Sequence, residues 1–263
     1  MISIDLSGKF ILITGALGAI AEHIVRRLAT AGATLILVDI KSNEEAKNTL
    51  HDWQIPGPPL VYFSADVTDS KAIRRVLEES FERFPNLDTV LGHAGGCDLH
   101  PFATTPEDEY ERIFRFNYFS QTYLARVVLP QWTRRKIAGH LIFTTSYVAR
   151  MPHTQIPSYA PAKAALENLV RCLALEYAHT DIRVNAVSPG NVAAGTSLKV
   201  FEENSAYKEF VSRISPTGKR NSPDAMGDAF LYLCSPLASE VNGNVLSVDL
   251  GIGIGYRFND AQD

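Results

Sequence analysis

The stretch Phe10–Asp39 limits the folds open to this chain more than any other. Phe10-Ile-Leu-Ile-Thr14 is a short, β-branched apolar run that meets Gly15 directly. Ala19 to Ala31 then carries Ile20, Ile24, Leu28 and Ala31 at three-to-four spacing, the period of a helix with one buried face. Gly32 stops that helix, and Thr34-Leu-Ile-Leu-Val-Asp39 is a second apolar run of strand length. A strand, a glycine turn, a helix and a strand in this order form a βαβ unit, which requires parallel strands.

The alternation continues. Residues 43–53 read as a polar helix, and Pro56-Gly-Pro-Pro59 breaks the chain before the strand Leu60–Ser64. Asp69 is placed to cap a helix whose buried stripe is Ile73, Val76, Leu77 and Phe81. Further strands are expected within Thr89–Gly96, which covers a strand and its exit, from His140, at Arg183–Val187 and at Gly243–Asp249. Helices are expected over Pro106–Arg135, Pro157–Ala178 and Pro223–Cys234. The fold class is therefore α/β, a doubly wound parallel sheet in a single domain. With 263 residues, 46% of them hydrophobic, the chain can bury one large core.

Within this order stands Ser146–Lys163, SYVARMPHTQIPSYAPAK. Tyr159 and Lys163 are four apart, so a helix starting near Pro157 puts them on one face. A free phenol, with a pKa of about 10, is a poor base at neutral pH. An ammonium beside it favours the phenolate and lowers that value. Ser146, thirteen positions before Tyr159, leaves the end of a strand, where its hydroxyl can hold the oxygen whose proton Tyr159 takes. A lone Tyr-x-x-x-Lys occurs on many solvated helix faces; the serine offset and the order of elements single this one out.

From Lys9 to about Gly251 the chain resembles the short-chain dehydrogenase/reductase family, whose signature is Tyr-x-x-x-Lys with a serine at this offset. The resemblance implies a Rossmann-type sheet of about seven strands. It also implies a secondary alcohol–ketone oxidoreductase with Asn117, Ser146, Tyr159 and Lys163 as its catalytic set. Asn117, in Phe116-Asn117-Tyr-Phe-Ser120, matches the family's Asn-x-x-Gly and would hold a water linking Lys163 to solvent. The family's glycine turn, Thr-Gly-x-x-x-Gly-x-Gly, appears as Thr14-Gly15-Ala16-Leu17-Gly18-Ala19-Ile20-Ala21, with alanine at the second and third glycines. Alanine is tolerable at both if their φ angles are negative. The implied dinucleotide contacts are Gly15, Leu17, Gly18, Ala19 and Ile20 at the pyrophosphate, where a helix N-terminus favours negative charge.

Asp39 would accept the adenosine ribose hydroxyls and repel a 2′-phosphate, so NAD is expected rather than NADP. Asp66 and Val67 would line the adenine, and Ala94 and Gly95 the ribose. Tyr159, Lys163, Pro189, Gly190 and Val192 would face the nicotinamide half. His93, in place of a family asparagine, is expected to make a structural hydrogen bond.

Around the site, Asn191 to about Asn221 reads as a polar, weakly periodic lid, extending over 191–221. Asp98, His100, His153, Gln155 and Asn191 fall in segments expected to border the substrate, and their polarity suggests a sugar or polyol. A net charge of −4 with scattered basic residues argues against nucleic acid. Arg134-Arg135-Lys136 reads as a solvated helix end. The N-terminus lacks a signal-peptide layout and no apolar run reaches about 18 residues, so neither export nor membrane insertion is expected. Three unpaired cysteines, Cys97, Cys172 and Cys234, suit a reducing cytoplasm, the last two as small core residues, and no metal spacing is present. The resemblance further implies a homotetramer with the apolar Gly251–Tyr256 near an interface. Two other readings stay open: a non-catalytic, dinucleotide-binding regulatory protein, and a non-redox enzyme on the same fold.

Overall fold

A computed structural model describes residues 3–255. Seven parallel strands form one sheet in the order β3-β2-β1-β4-β5-β6-β7. They are β1 (Phe10–Thr14), β2 (Thr34–Asp39), β3 (Val61–Ser64), β4 (Thr89–Gly92), β5 (His140–Thr144), β6 (Arg183–Pro189) and β7 (Val245–Val248). The central strands are apolar throughout because helices cover both faces. Their side chains still alternate. Leu12, Ile36, Val90, Leu141 and Val184 enter one core, while Ile11, Ile13, Leu35, Leu37 and Ile142 enter the other.

On the first face lie α3 (Ser70–Arg83), α5 (Ser120–Arg135) and α6 (Tyr159–Glu176). Asp69 caps α3 through the Lys71 and Ala72 N–H groups, and the Ile73–Phe81 stripe is buried, both as the sequence predicts. α1 (Ala19–Thr30) and α9 (Pro223–Cys234) cover the second face, packed on each other. α2 (Asn43–Trp53) follows β2 and is held by a capping box between Ser42 and Glu45. The sheet winds outward from β1 in two directions, so the crevice between the ends of β1 and β4 is its topological switch point, where such folds bind ligands.

Four local expectations need revision. The helical region from Glu107 is α4 (Glu107–Phe114) continued into α5 through a π-turn, Arg115–Phe119, that carries Asn117. β6 runs on to Pro189, two residues past the expected end. The supposed irregular lid holds two helices, α7 (Gly195–Glu203) and α8 (Ser205–Ile214), the second capped by Asn204. Cys172 lies on the outward side of α6 and is exposed, whereas Cys234 is buried as expected. The basic triplet does end α5, with Lys136 in the left-handed region, but Arg135 also bonds the Phe81 carbonyl at 3.2 Å. Tyr256 falls outside the described residues. Among those residues no helix is long and apolar enough to cross a membrane, and no His/Cys/Asp/Glu group could hold a metal.

Trp132 anchors the first core. It is fully buried, its indole N–H donates to the Leu87 carbonyl at 2.7 Å, and only a glycine at 139 leaves room for its ring. Replacing Trp132 by alanine is expected to cost about 3–5 kcal/mol in equilibrium denaturation. A loss under about 1 kcal/mol would contradict this packing.

Candidate active site

A cleft of about 850 Å³ opens along the carboxyl ends of β1, β2, β4, β5 and β6. Its floor begins at Gly15, where the chain turns with φ +64°; a Cβ there would lie 2.7 Å from the Ala94 Cα. Only glycine fits. Gly18 then precedes α1 without any side-chain cap, so the first-turn N–H groups are directed toward the cleft wall formed by Gly18, Ala19 and Ile20.

Ala19 and Ala21 sit in the helix with negative φ, which answers the question raised by the altered glycine pattern. Gly195, whose φ of +56° favours glycine, faces the Ala19 methyl. Leu17, expected to face the cofactor, is buried and is not on the cleft wall; its N–H donates to Asp39 Oδ2 at 3.0 Å. Asp39 is on the wall, its other oxygen accepting the Lys41 N–H at 3.3 Å. Asp66 and Val67 line the same end, the Asp66 carboxylate held by Thr68 through N–H and hydroxyl bonds of 2.8 and 2.7 Å.

At the centre of the cleft, the exit of β4 is fixed from below. Thr14 Oγ1 accepts the N–H groups of His93 and Ala94, and Gln121 donates to the Ala94 carbonyl at 2.8 Å. His93 makes the structural contact expected of it, Nδ1 to Thr144 Oγ1 at 2.9 Å. Burial, aided by the charge of Lys163, pushes His93 down to about 4, so its ring is neutral at pH 7. Asn117 lies behind this loop. Its side chain spans Gly96, accepting the N–H at 3.1 Å and donating to the carbonyl at 2.8 Å, and also donates to the Ile113 carbonyl. π-turns often mark functional sites, and here the turn aims an asparagine inward at no cost in capping.

Ser146 follows β5 and caps the short turn Tyr147–Ala149, accepting the Val148 N–H at 3.4 Å. Tyr159 opens α6, and Lys163 lies one turn on, with Nζ 5.6 Å from the Tyr159 ring centre. Lys163 is 2% exposed and donates to the Thr144 carbonyl at 2.9 Å. A Cβ on Gly95 would stand 2.8 Å from Asn117 Oδ1 and 3.0 Å from Lys163 Nζ, so this glycine separates the two groups. Ser146, Tyr159 and Lys163 thus line one stretch of the cleft, and Asn117, fully buried, stands behind it across Gly95.

A family profile described as enoyl-(acyl carrier protein) reductase matches residues 15–253. The 7alpha-hydroxysteroid dehydrogenase of Escherichia coli K12 is 30% identical over 250 residues, covering 95% of this chain and 96% of that enzyme. A solved 7alpha-hydroxysteroid dehydrogenase, in complex with NADH and 7-oxo glycochenodeoxycholic acid, is similar with a TM-score of 0.86 and 28% identity, over 95% of this chain and 96% of that one. A Beutenbergia cavernae structure with bound NADP, provisionally described as an NAD(P)-dependent gluconate 5-dehydrogenase, gives 0.86 and 25%, over 95% and 98%. The chain belongs to the short-chain dehydrogenase/reductase family. It is an NAD(P)-dependent oxidoreductase that interconverts secondary alcohols and ketones.

In this dehydrogenase, burial dominates the electrostatics of Tyr159 and Lys163. Desolvation lowers Lys163 to about 8 against a small opposing effect of Cys97. The Tyr159 phenol is pushed above its ordinary range by desolvation and by Cys97, with the Ser146 hydroxyl pulling it back. The depressed phenol expected from the Tyr-x-x-x-Lys spacing is not what this structure shows, because desolvation of the buried phenol raises it. Cys97, on the wall beside them, is itself raised to about 12 by burial, which keeps it a neutral thiol.

Past Tyr159 the wall is mostly apolar: Leu99, Phe116, Tyr147, Val148, Ile156 and Val200. Of the five polar residues expected at the substrate, only His153 and Asn191 line the cleft. Asp98 pairs with Arg112, and the Gln155 carbonyl accepts the His100 N–H at 2.9 Å. Asn191 is fully engaged, its Oδ1 accepting Arg220 Nε and Ser197 Oγ, and its amide donating to Tyr207 Oη. Sequence reading missed Arg112, Ser197 and Tyr207 on this wall, and Arg220 behind it. None stands in a local pattern that marks it.

The Lys163 environment has a measurable consequence. Between pH 8 and 10.5 the unfolded lysine holds a proton that the folded one has released, so folding stability rises with pH there. Lys163→Met removes this effect. The variant's stability advantage over wild type is expected to shrink from pH 8 to 10 in denaturant titrations, and a difference independent of pH would refute the buried-ammonium account.

Proposed function

We propose that the dehydrogenase uses NAD, with Asn117, Ser146, Tyr159 and Lys163 as its catalytic set. The observation that carries this reading is that Ser146, Tyr159 and Lys163 line the cleft at the switch point, backed by Asn117 across Gly95 and sharing the wall with a glycine-floored helix N-terminus. Gly15, Gly18, Ala19 and Ile20 would hold the pyrophosphate, where unpaired N–H groups and the helix dipole favour negative charge. Asp39 would take the adenosine ribose hydroxyls, Asp66 and Val67 the adenine edge, and Ala94 and Gly95 the chain between. Pro189, Gly190 and Val192, with Tyr159 and Lys163, would hold the nicotinamide half.

NAD fits better than NADP on charge. The Asp39 carboxylate is fixed by the Leu17 and Lys41 N–H groups, and no cation among the described residues forms an ion pair with it. A 2′-phosphate at that place would meet a fixed negative charge.

When bound, the nicotinamide supplies the hydride acceptor or donor. The protein's part is positioning and proton transfer. Ser146 orients the substrate oxygen, and Tyr159 takes the hydroxyl proton in oxidation or returns it in reduction. Lys163 offsets the phenolate charge that then develops, and its own proton is easily lost because burial has lowered its affinity. Asn117, on the far side of Gly95, holds the path toward Lys163 open to a relay water.

For the substrate, an apolar wall with a polar rim of His153, Ser197 and Tyr207 suits a cyclic alcohol with an apolar ring face and hydroxyl groups. We retain sugars and polyols as the class to test first. The free state of Cys97, Cys172 and Cys234 supports a reducing cytoplasm. Ile254, 91% exposed near the C-terminal end of the described residues, supports burial of that segment in a homotetramer.

Steady-state oxidation of a panel of sugars, polyols and apolar cyclic alcohols, with NAD, tests the assignment. Tyr159→Phe is expected to lower kcat by at least about 100-fold while NADH binding persists. Undiminished turnover would remove Tyr159 from its role, and turnover on apolar alcohols alone would remove the polyol class.

A further inference from the structure

Ser146 sits in the segment between β5 and α6, and one polar cluster holds that segment in place. Glu167 stands on α6 one turn beyond Lys163, with a side chain only 4% exposed. A carboxylate so buried requires compensating charge and hydrogen bonds. The Thr145 hydroxyl shares its proton between Oε1 at 3.4 Å and the Val187 carbonyl at 3.3 Å, Arg150 Nε lies 3.7 Å from the same carboxylate oxygen, and Arg171 Nη2 lies 3.6 Å from Oε2.

Arg171 is 55% exposed and, among the described residues, reaches only Glu167, whereas Arg150, 38% exposed, also reaches two strands. Arg150 Nη2 donates to Ser188 Oγ at 3.0 Å on β6 and to Ser247 Oγ at 2.8 Å on β7. Thr145 immediately precedes Ser146, and Ser188 immediately precedes Pro189 and Gly190. One guanidinium therefore links the serine segment, the tyrosine–lysine helix and the turn after β6.

We propose that Arg150 and Glu167 are a positioning pair that fixes Ser146 and the Pro189–Val192 turn relative to Tyr159 and Lys163. This rests on the catalytic reading given above. The planar fork matters as well as the charge, because Arg171 already supplies a second cation to Glu167 and a lysine offers no fork. Misplacing a reacting group by about 1 Å costs about 100-fold in rate.

The test compares Arg150→Met, Arg150→Lys, Arg171→Met and Tyr159→Phe in kinetics, NADH binding and amide hydrogen exchange. Arg150→Met is expected to lose about 100-fold in kcat with NADH affinity within about threefold. Arg150→Lys is expected to recover little of that loss, and Arg171→Met to stay within about threefold of wild type. Exchange at Val148–Arg150 and Gly190–Val192 is expected to speed together by at least about tenfold in Arg150→Met, with β1 to β4 unchanged. Wild-type kcat in Arg150→Met or Arg150→Lys, an equal loss in Arg171→Met, or unchanged exchange would overturn the proposal. If Arg150→Met fails to fold, the double variant with Glu167→Gln removes both charges together. Slow turnover in it supports the pair, and wild-type kcat overturns it. Activity surviving Tyr159→Phe would sink the catalytic reading, and the exchange data would still decide the pair.

Discussion

A buried ammonium organises the centre of this molecule. Lys163 has almost no contact with solvent and one protein acceptor, the Thr144 carbonyl at the end of β5. Burial on this scale is unfavourable for the charged form, so the fold must hold the acceptor rigidly to keep the lysine where it is. Thr144 is held in turn by pairing of β5 with β4 and β6 and by the neutral ring of His93 on its hydroxyl. His93 thus belongs to the support of Lys163, and its neutrality avoids a second positive charge nearby.

The same centre depends on empty space kept by glycine. Gly15 lets β1 turn directly beneath Ala94, and Gly95 lets Asn117 and Lys163 approach opposite sides of one backbone unit. Where the family pattern has glycine and this chain has alanine, the Ala19 methyl faces Gly195, at the start of α7. The cleft wall is tied to the segment that follows it through Asn191, whose side chain bonds Ser197 of α7, Tyr207 of α8 and Arg220 in the loop before α9.

Much of this was legible in sequence, for physical reasons that differ by element. Strands flanked by glycine and helices with a strong 3.6-residue stripe, such as α3 and α1, are set by local periodicity and caps. Ser146, Tyr159 and Lys163 could be placed together because strand end, offset and helix period are all local quantities. The helices α7 and α8 were not legible, since their apolar residues pack on a cleft that only the tertiary fold creates. Leu17 pointed the wrong way for a similar reason: which side of a turn faces the ligand is decided by Asp39, 22 residues away. Asn191 does border the cleft, but polarity alone does not reveal that its side-chain partners lie within the chain. Cys172 illustrates the reverse error, as an apolar helical neighbourhood did not fix which face it occupies. The phenol was misjudged because spacing gives the distance to a charge and says nothing of desolvation.

The central claim is that the switch-point cleft seats a dinucleotide whose adenosine half is selected by Asp39. Calorimetric titration of the purified protein with NADH and with NADPH, at matched ionic strength, tests it most directly. The account predicts that NADH binds at least about tenfold more tightly, a difference of about 1.4 kcal/mol, and that Asp39→Ala removes most of this preference. Tighter binding of NADPH, or failure of both to bind, would contradict it.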